Sequence, residues 1–378
     1  MKNLDLQEIR GRLDRIDARL VELFEERMNL CRDVAEFKIE NGKAVYDPVR
    51  EKEKLAAVSA LAKSPFTEIA VGELFLQLMT VSRRYQYQLM GNLGNLGESE
   101  FKLVEYLPTA GKRVVYQGVE GAYSHAAALQ FFGNQADAYH VPAWDDAMNE
   151  VAEGRAAYAV LPIENSSAGA VIDNYDLLLK YKNYIVGETQ VAVNHALLGL
   201  PEADITDIRT VYSHPQGLMQ CSQFLNSHKE WKQVSLENTA VAAKKVVEDG
   251  DITQAAVASE TAGKIYGLKV LKAAVNHNSS NVTRFLILGA EPVYRLDAKK
   301  VSICFELPHV SGSLYNMLGH FIYNRVNLLM IQSRPILERN WEYRFFVDIE
   351  GTLKDVPVQN ALLGLKHEAA NLRILGSY

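Results

Sequence analysis

The sequence predicts a multidomain chain, with an all-α first unit, a two-lobed α/β second unit and a small α+β third. Three observations carry this. Apolar residues recur at helical spacing from Ile9 to Val34. Between about 112 and 290, an apolar run, a small polar turn and a helix start follow one another five times. After about 299, strand-like and helix-like segments alternate in the order βαββαβ. A length of 378 residues suits two or three domains, and 48% hydrophobic residues supply real cores.

Composition narrows the function. The net charge is −6, so bulk attraction to nucleic acid or an anionic membrane is excluded. "MKNLDLQEIR" lacks the apolar core of a signal segment, and no apolar run reaches membrane-spanning length, so the cytoplasm is expected. Cys31, Cys221 and Cys304 are odd in number and far apart, forming neither a disulfide framework nor a zinc pattern. The nine histidines show no HExxH, and neither a metal nor a cofactor is expected. Two stretches punctuate the chain: "GNLGNLGESE" from Gly91, and "GAEPVYRLDAKK" from Gly289. The expected units are therefore 1–90, a flexible linker at 91–111, 112–290, and 299–378.

The first unit opens with one helix of some seven turns, striped by Ile9, Leu13, Ile16, Leu20, Leu23, Phe24, Leu30, Cys31 and Val34. Asp47 and Pro48 then form an N-cap and first helical position, and a third helix runs from about Thr67 to Leu89. Three such helices make a thin body, and intertwined dimerisation would supply the missing core. Arg27 interrupts the apolar seam, where an unpaired charge is costly. A salt bridge within the bundle is one reading. Lys38 offers another, since it lies only about 20° round the helix and about 16 Å along it, so that the two cations can close on one small polyanion. Ser82 and Gln86 face one way as an i,i+4 pair. Arg10 is about 25 Å from Arg27 and cannot share its ligand within one chain.

The set Arg10, Arg27, Lys38, Asp47, Arg50, Glu51, Ser82 and Gln86 resembles the all-helical chorismate mutase domain. The resemblance implies a dimer in which Arg10 of one chain completes the other's site. Arg10 and Arg27 would hold the two carboxylates of chorismate, and Arg50 would add positive charge. Lys38 and Gln86 would donate to the ether oxygen whose bond breaks. Glu51 and Asp47 would meet hydroxyls or orient the cations, and Ser82 would support a carboxylate. The pericyclic rearrangement to prephenate needs no nucleophile. It needs a chair-like conformer held, with donors where the ether oxygen gains electron density.

In the second unit the strand–turn–helix arrangement appears in "RVVYQGVEGAYSHAAALQFF", "YAVLPIENSSAGAVIDNYDLL", "TVYSHPQGLMQCSQFL", "VSLENTAVAAKKVV" and "AAVASETAGKIYG". Each turn is expected to bring Ser, Thr or Asn to a helix N-terminus. In an open α/β sheet such turns gather at the carboxyl ends of the strands, where ligands bind and anions are favoured. GxxxxGK[ST] and GxGxxG are both missing, so a small carboxylate fits better than a nucleotide. "YIVGETQVAVNHALLGL" reads as a crossing between two lobes, with a cleft between them. "IENSSAG" (Ile163–Gly169) would form one wall, and Glu164 would fix the loop or meet a hydroxyl, because a carboxylate beside an anionic substrate repels it.

"GAYSHAA", "PIENSSAG", "YSHPQ" and "NVTRF" together resemble prephenate dehydratase over about 112–290. The resemblance implies a two-lobed fold related to periplasmic binding proteins, and Thr283 as the essential residue. Dehydration and decarboxylation of prephenate give phenylpyruvate. Aromatisation drives the step, so the enzyme need only help hydroxide leave, and a Thr hydroxyl can donate to it. Ser124, Glu164, Asn165, Ser166, Ser167 and Ser213 are the expected substrate-binding positions, and Arg284 or helix N-termini would hold the pyruvyl carboxylate. His125 and His214 are rival proton donors.

The βαββαβ order of the third unit is ferredoxin-like. "GSL" (Gly312, Ser313, Leu314) and "QSRP" (Gln332, Ser333, Arg334, Pro335) resemble the regulatory ACT domain of prephenate dehydratases. The usual forms are G-A-L and E-S-R-P, so Ser313 and Gln332 depart from them. The resemblance implies that these residues bind phenylalanine between subunits, inhibiting the dehydratase more than a mutase beyond a flexible linker. A helical N-terminus ahead of a two-lobed binding unit also describes some transcriptional regulators. Residues 1–100, however, carry 15 Lys/Arg against 17 Asp/Glu, and their helices are too long for a helix-turn-helix.

Overall fold

The computed structural model describes residues 5–92, 100–337 and 339–378. Most of the "GNLGNLGESE" segment therefore lies outside the described residues. The chain divides into two compact units. One combines Met1–Ser99 with Lys300–Ile374, and the other combines Glu100–Lys299 with Leu375–Tyr378.

In the first unit, helix α1 (Leu6–Glu40) starts at Asp5, whose carboxylate accepts from the Gln7 and Glu8 amides. Helix α2 (Pro48–Ser59) has Asp47 as its N-cap and Pro48 in its first turn. Helix α3 (Pro65–Asn92) follows. Of α1 only Ala35 is buried. Leu13, Ile16, Leu20, Leu23, Leu30 and Val34 are all at least 45% exposed, so the stripe read from the sequence exists and is unpartnered in the single chain. The strands Lys300–Glu306, Leu328–Pro335, Tyr343–Glu350 and Ala370–Ser377 alternate with the helices Ser313–Tyr323 and Val356–Glu368 in the order βαββαβ. Helix α3 packs on both of those helices. Tyr87 is fully buried in a cluster with Val45 and Leu363. The helices are thus joined to the C-terminal elements in one compact body, which revises the expectation that a flexible linker separates them from that region.

The second unit has two lobes. The first holds strands in the spatial order Tyr184–Ala192, Val282–Gly289, Tyr158–Asn165, Arg113–Gln117 and Asp137–Val141. The second is a five-stranded sheet in the order Lys269–Lys272, Ala196–Gly199, Gln254–Ala258, Thr210–Ser213 and Lys232–Ser235. The chain crosses between the sheets after Ala192 and returns after Lys272, as the "YIVGETQVAVNHALLGL" pattern predicts. Each lobe has its own core. Val114, Tyr116, Val160 and Ile287 centre the first, while Leu197, Val211, Leu225 and Val257 lie in the second. Two features fall outside the sequence reading. Lys102–Val104, within the expected linker, pairs in parallel with Val293–Arg295. The last residues of the chain also return to this unit: Gly376 pairs with Ile185, and the Lys299 amide donates to the Tyr378 carbonyl.

Capping departs from the expected pattern. Asn238 and Ser259 cap their helices through the side chain. The residues at the other three starts are Ala122, Val171 and His214. In "IENSSAG" the chain first turns back as a short strand at Gly169–Ala170, which spends the serines on a hairpin before the helix begins.

Candidate active sites

In the helical region, burial brings the predicted polar residues into two groups. Arg27 Nη1 donates to Ser82 Oγ and to the Leu78 carbonyl, 3.3 Å away. The seam arginine is thus held against α3 by neutral oxygens, with no carboxylate partner among the described residues. Lys38 Nζ donates to the Val45 carbonyl at 2.6 Å. Burial pulls the Lys38 amine below its usual value, against the opposing pull of Asp47 and Glu51. Gln86 is buried, and its Oε1 has no partner among the described residues. Arg50 is exposed, facing Glu53 at 3.7 Å. Arg10 is exposed near the start of α1.

Sequence reasoning passed over Arg83. It is 5% exposed and donates from Nη1 to both Glu51 oxygens, at 2.7 and 2.5 Å. The only signal available was its place between Ser82 and Gln86, on a helix already expected to face the site.

In the second unit a cavity of about 430 Å³ opens between the lobes. Ser124, Asn165, His214 and Thr283 line it, with Gln117, Tyr123, Trp144, His195, Gln220, Asn238 and Thr239. Asn165 organises its centre. Its Nδ2 donates to Thr283 Oγ1 at 2.9 Å and to Asn281 Oδ1 at 2.8 Å, while its Oδ1 accepts from the Ser167 and Ala168 amides at 3.0 Å. The Thr283 oxygen is therefore occupied as an acceptor, and no acceptor for its proton is found among the described residues. Thr283 is 9% exposed, so the hydroxyl is fixed and shielded.

Several expected residues lie elsewhere. Thr283 and Phe285 line the cavity, and strand alternation turns Arg284 to the other face. There Arg284 Nε donates to Glu188 at 2.8 Å and Nη2 to the Tyr378 hydroxyl at 3.1 Å, with Glu164 at 3.7 Å. Arg284 is therefore not positioned to hold the pyruvyl carboxylate, and Glu164 fixes that outer face. Ser166 and Ser167 are exposed beside the cavity lining: Ser166 Oγ accepts from the Val282 amide, and Ser167 Oγ accepts from Asn278. Ser213 is buried and donates to the Val257 carbonyl at 2.6 Å. His125 stacks on Tyr116, and its Nδ1 accepts from the Gly121 amide, away from the cavity. His214 does reach the cavity, but burial holds its imidazole below the ordinary value, and Nδ1 accepts from the Gln216 amide.

Tyr123, within the "GAYSHAA" motif but not singled out, connects the lobes with His195 and Gln220, for which no sequence signal was available. The Tyr123 hydroxyl meets His195 Nδ1 at 3.1 Å, and His195 Nε2 meets Gln220 Oε1 at 3.1 Å. Burial lowers the His195 pKa.

In the C-terminal elements Gly312 has φ +82°, a left-handed conformation that favours glycine, at the start of the Ser313–Tyr323 helix. A Cβ there would meet nothing closer than Asn316 Nδ2 at 4.0 Å, so the surrounding space is open. Ser313 Oγ donates to the Val310 carbonyl, and Gln332 Nε2 donates to the Ser333 carbonyl.

A two-lobed α/β unit with a hydroxyl- and amide-lined cleft, on one chain with helices that carry Arg27 and Lys38, defines an enzyme class that handles small polyanionic acids at two centres. The prephenate dehydratase family model matches residues 114–293, and the chorismate mutase type II model matches residues 9–87. The bifunctional chorismate mutase/prephenate dehydratase of Stutzerimonas stutzeri is 33% identical over 99% of this chain and 97% of its own. That of Escherichia coli (strain K12) is 32% identical over 98% and 95%. The crystal structure of an Arthrobacter aurescens prephenate dehydratase in complex with L-Phe is 30% identical, with a TM-score of 0.64, over 70% of this chain and 89% of that one. The chain belongs to the bifunctional chorismate mutase/prephenate dehydratases.

Proposed function

We propose that the two reactions run at separate sites in one cytoplasmic homodimer or higher homo-oligomer, under feedback control by phenylalanine. Residues 1–90 carry the mutase, with Arg27 and Ser82 on one carboxylate and Arg10 of a second chain on the other. Lys38 and Gln86 donate to the ether oxygen, Glu51 and Asp47 take hydroxyls or orient the cations, and Arg50 adds field. The exposed α1 stripe supports the paired state, since a contiguous apolar face of this length calls for a partner.

Residues 112–290 carry the dehydratase. The observation that carries this reading is the Asn165–Thr283 hydrogen bond. With its oxygen occupied, Thr283 turns its proton toward the cleft and donates a hydrogen bond to the departing C4 hydroxyl. The bond from the ring to CO₂ breaks, its electron pair closes the aromatic ring, the C–O bond breaks, and the departing hydroxide takes a proton from solvent to become water, so that Thr283 keeps its own. Pro162 and Phe285 give the ring carboxylate an apolar surround, which favours its loss as neutral CO₂. With Arg284 facing away, the pyruvyl carboxylate falls to the first-turn amides of the Tyr123–Phe132 and Thr239–Asp249 helices, whose N-terminal residues line the cavity.

Residues 299–378 are an ACT regulatory domain in this reading. Gly312, Ser313 and Leu314 of one chain face Gln332, Ser333, Arg334 and Pro335 of another across bound phenylalanine. The open, left-handed Gly312 supports this, as does the L-Phe complex of the Arthrobacter dehydratase. One experiment tests both centres: chorismate and prephenate consumption with and without phenylalanine in wild type, Thr283→Ala and Gly312→Ala. Thr283→Ala should cut the dehydratase rate by about 100-fold or more and spare the mutase. Gly312→Ala should keep the dehydratase rate and lose its response. A Thr283→Ala enzyme with most of its dehydratase rate, or a wild type indifferent to phenylalanine, would refute the corresponding assignment.

A further inference from the structure

Arg83 lies at a junction that neither reaction explains. Its guanidinium grips Glu51 on α2 with Nη1, donates from Nε to Glu368 at 2.9 Å, and reaches Thr80 Oγ1 from Nη2 at 3.3 Å. The Tyr46 ring covers it, 5.0 Å from its carbon to the ring centroid. Glu368 ends the Val356–Glu368 helix, and its second oxygen lies 3.4 Å from His320 Nε2 on the Ser313–Tyr323 helix. The side chains of Arg83, Glu368 and His320 are each at most 8% exposed. The ion pairs are therefore little screened by water, and removing one partner leaves a buried charge.

The packing around this chain of polar side chains is closed. Tyr87 stacks on His367 at 5.5 Å and meets His320 edge-on at 6.0 Å. A Cβ on Gly319 would run into the Arg84 guanidinium, and one on Gly364 would run into the His320 ring. Both helices of the βαββαβ fold are thus locked to α3 at the height of Arg83.

We propose that Arg83 is a positioning residue for the mutase reaction, and that Glu368 and His320 make the C-terminal subdomain a structural part of the mutase centre. This rests on the assignment of Glu51 to the substrate. A carboxylate on α2 that must meet a hydroxyl has to be held at one height and rotation. Arg83 does this by donating from Nη1 to both Glu51 oxygens, and Glu368 fixes Arg83 in turn through Nε. The dehydratase centre contains none of these residues. A shift of the Val356–Glu368 helix would reach Glu51 directly, with no need for contact between effector and substrate.

The test is steady-state kinetics on the full-length enzyme, with dehydratase turnover as the internal control. Arg83→Ala should lower mutase kcat about tenfold, with a smaller change in KM and dehydratase within twofold. Arg83→Lys should recover part of the loss, keeping the charge without the fork. Glu368→Gln, nearly isosteric, should lower mutase kcat about threefold. In a double-mutant cycle, Arg83→Ala should cost little more once Glu51→Gln is present. A general loss of structure would lower both activities and would not spare the double mutant. Mutase kinetics within twofold of wild type in both Arg83→Ala and Glu368→Gln would overturn the inference. So would losses that multiply in full with Glu51→Gln. If Glu51→Gln alone leaves the mutase unchanged, the assignment of Glu51 fails, and the positioning role falls with it.

Discussion

At the scale of single residues, the hydrogen bonds of the cleft bear on the choice between rival proton donors. Thr283 and His214 both reach the cleft; Asn165 fixes the Thr283 oxygen, and the Gln216 amide occupies His214 Nδ1. Burial holds His214, His195 and His125 below the ordinary imidazole value of 6.5. A lowered pKa means that each is neutral at and above that pH and gains its charge only further into acid. The dehydratase pH–rate profile should therefore be flat from about 6.5 to 8, with any histidine-dependent change below about 6.5. An inflection between 7 and 8 in kcat against pH would return a histidine to the acid role. The motif around Thr283 was legible because its residue types are distinctive. The direction of Arg284 was legible too in principle, since neighbours on a strand face opposite ways. The pull of charge on charge suggested a carboxylate partner in the substrate, whereas Glu188 and Glu164 already occupy that guanidinium.

Elements read most clearly where periodicity is long. Helix α1 and the Asp47–Pro48 start of α2 follow from spacing and capping alone. The alternation of two sheets follows from strand–turn–helix repeats. Short strands and tertiary returns do not, because a three-residue strand such as Lys102–Val104 has no period to detect. Neither does the final strand reveal that its last residues serve another sheet. Gly376 permits that return: a Cβ there would fall on the Ile185 carbonyl oxygen, a backbone atom with no freedom to yield. Gly376→Ala should destabilise the unit by about 1–3 kcal/mol, read as a lowered thermal transition in the full-length enzyme. An unchanged transition would mean that the strand end contributes little. For the same reason Arg284, tied to Tyr378, should become less rigid when the last four residues are lost.

For the whole molecule, the proposed shared site would make the mutase a property of paired chains, because Arg10 and Arg27 stand about 25 Å apart along one helix. Arg10→Ala and Arg27→Ala enzymes should each be nearly inactive as mutases. Mixed, with exchange verified, they should regain activity through dimers holding one intact and one doubly broken site. No recovery in verified mixed dimers would exclude a shared site. Dehydratase activity should be normal in all three samples. The order of the chorismate mutase and prephenate dehydratase matches was legible in the motifs, but the partnership between the first helices and the last elements was not. It depends on Arg83, Arg84 and Tyr87, which look like ordinary helix residues until Glu368, Gly319 and His367 are placed against them.

That partnership has a consequence in time. The α3 surface around Tyr87 leaves the ribosome long before the helix carrying Leu363 and Glu368, because the entire cleft-forming unit is translated in between. At ordinary elongation rates the delay is on the order of tens of seconds. Throughout it Arg83 has Glu51 as a partner but lacks Glu368, and an aromatic face meant for burial stands uncovered. A nascent chain paused or released early would present that face to any neighbour, so completion of the last residues governs when the first helices reach their final state.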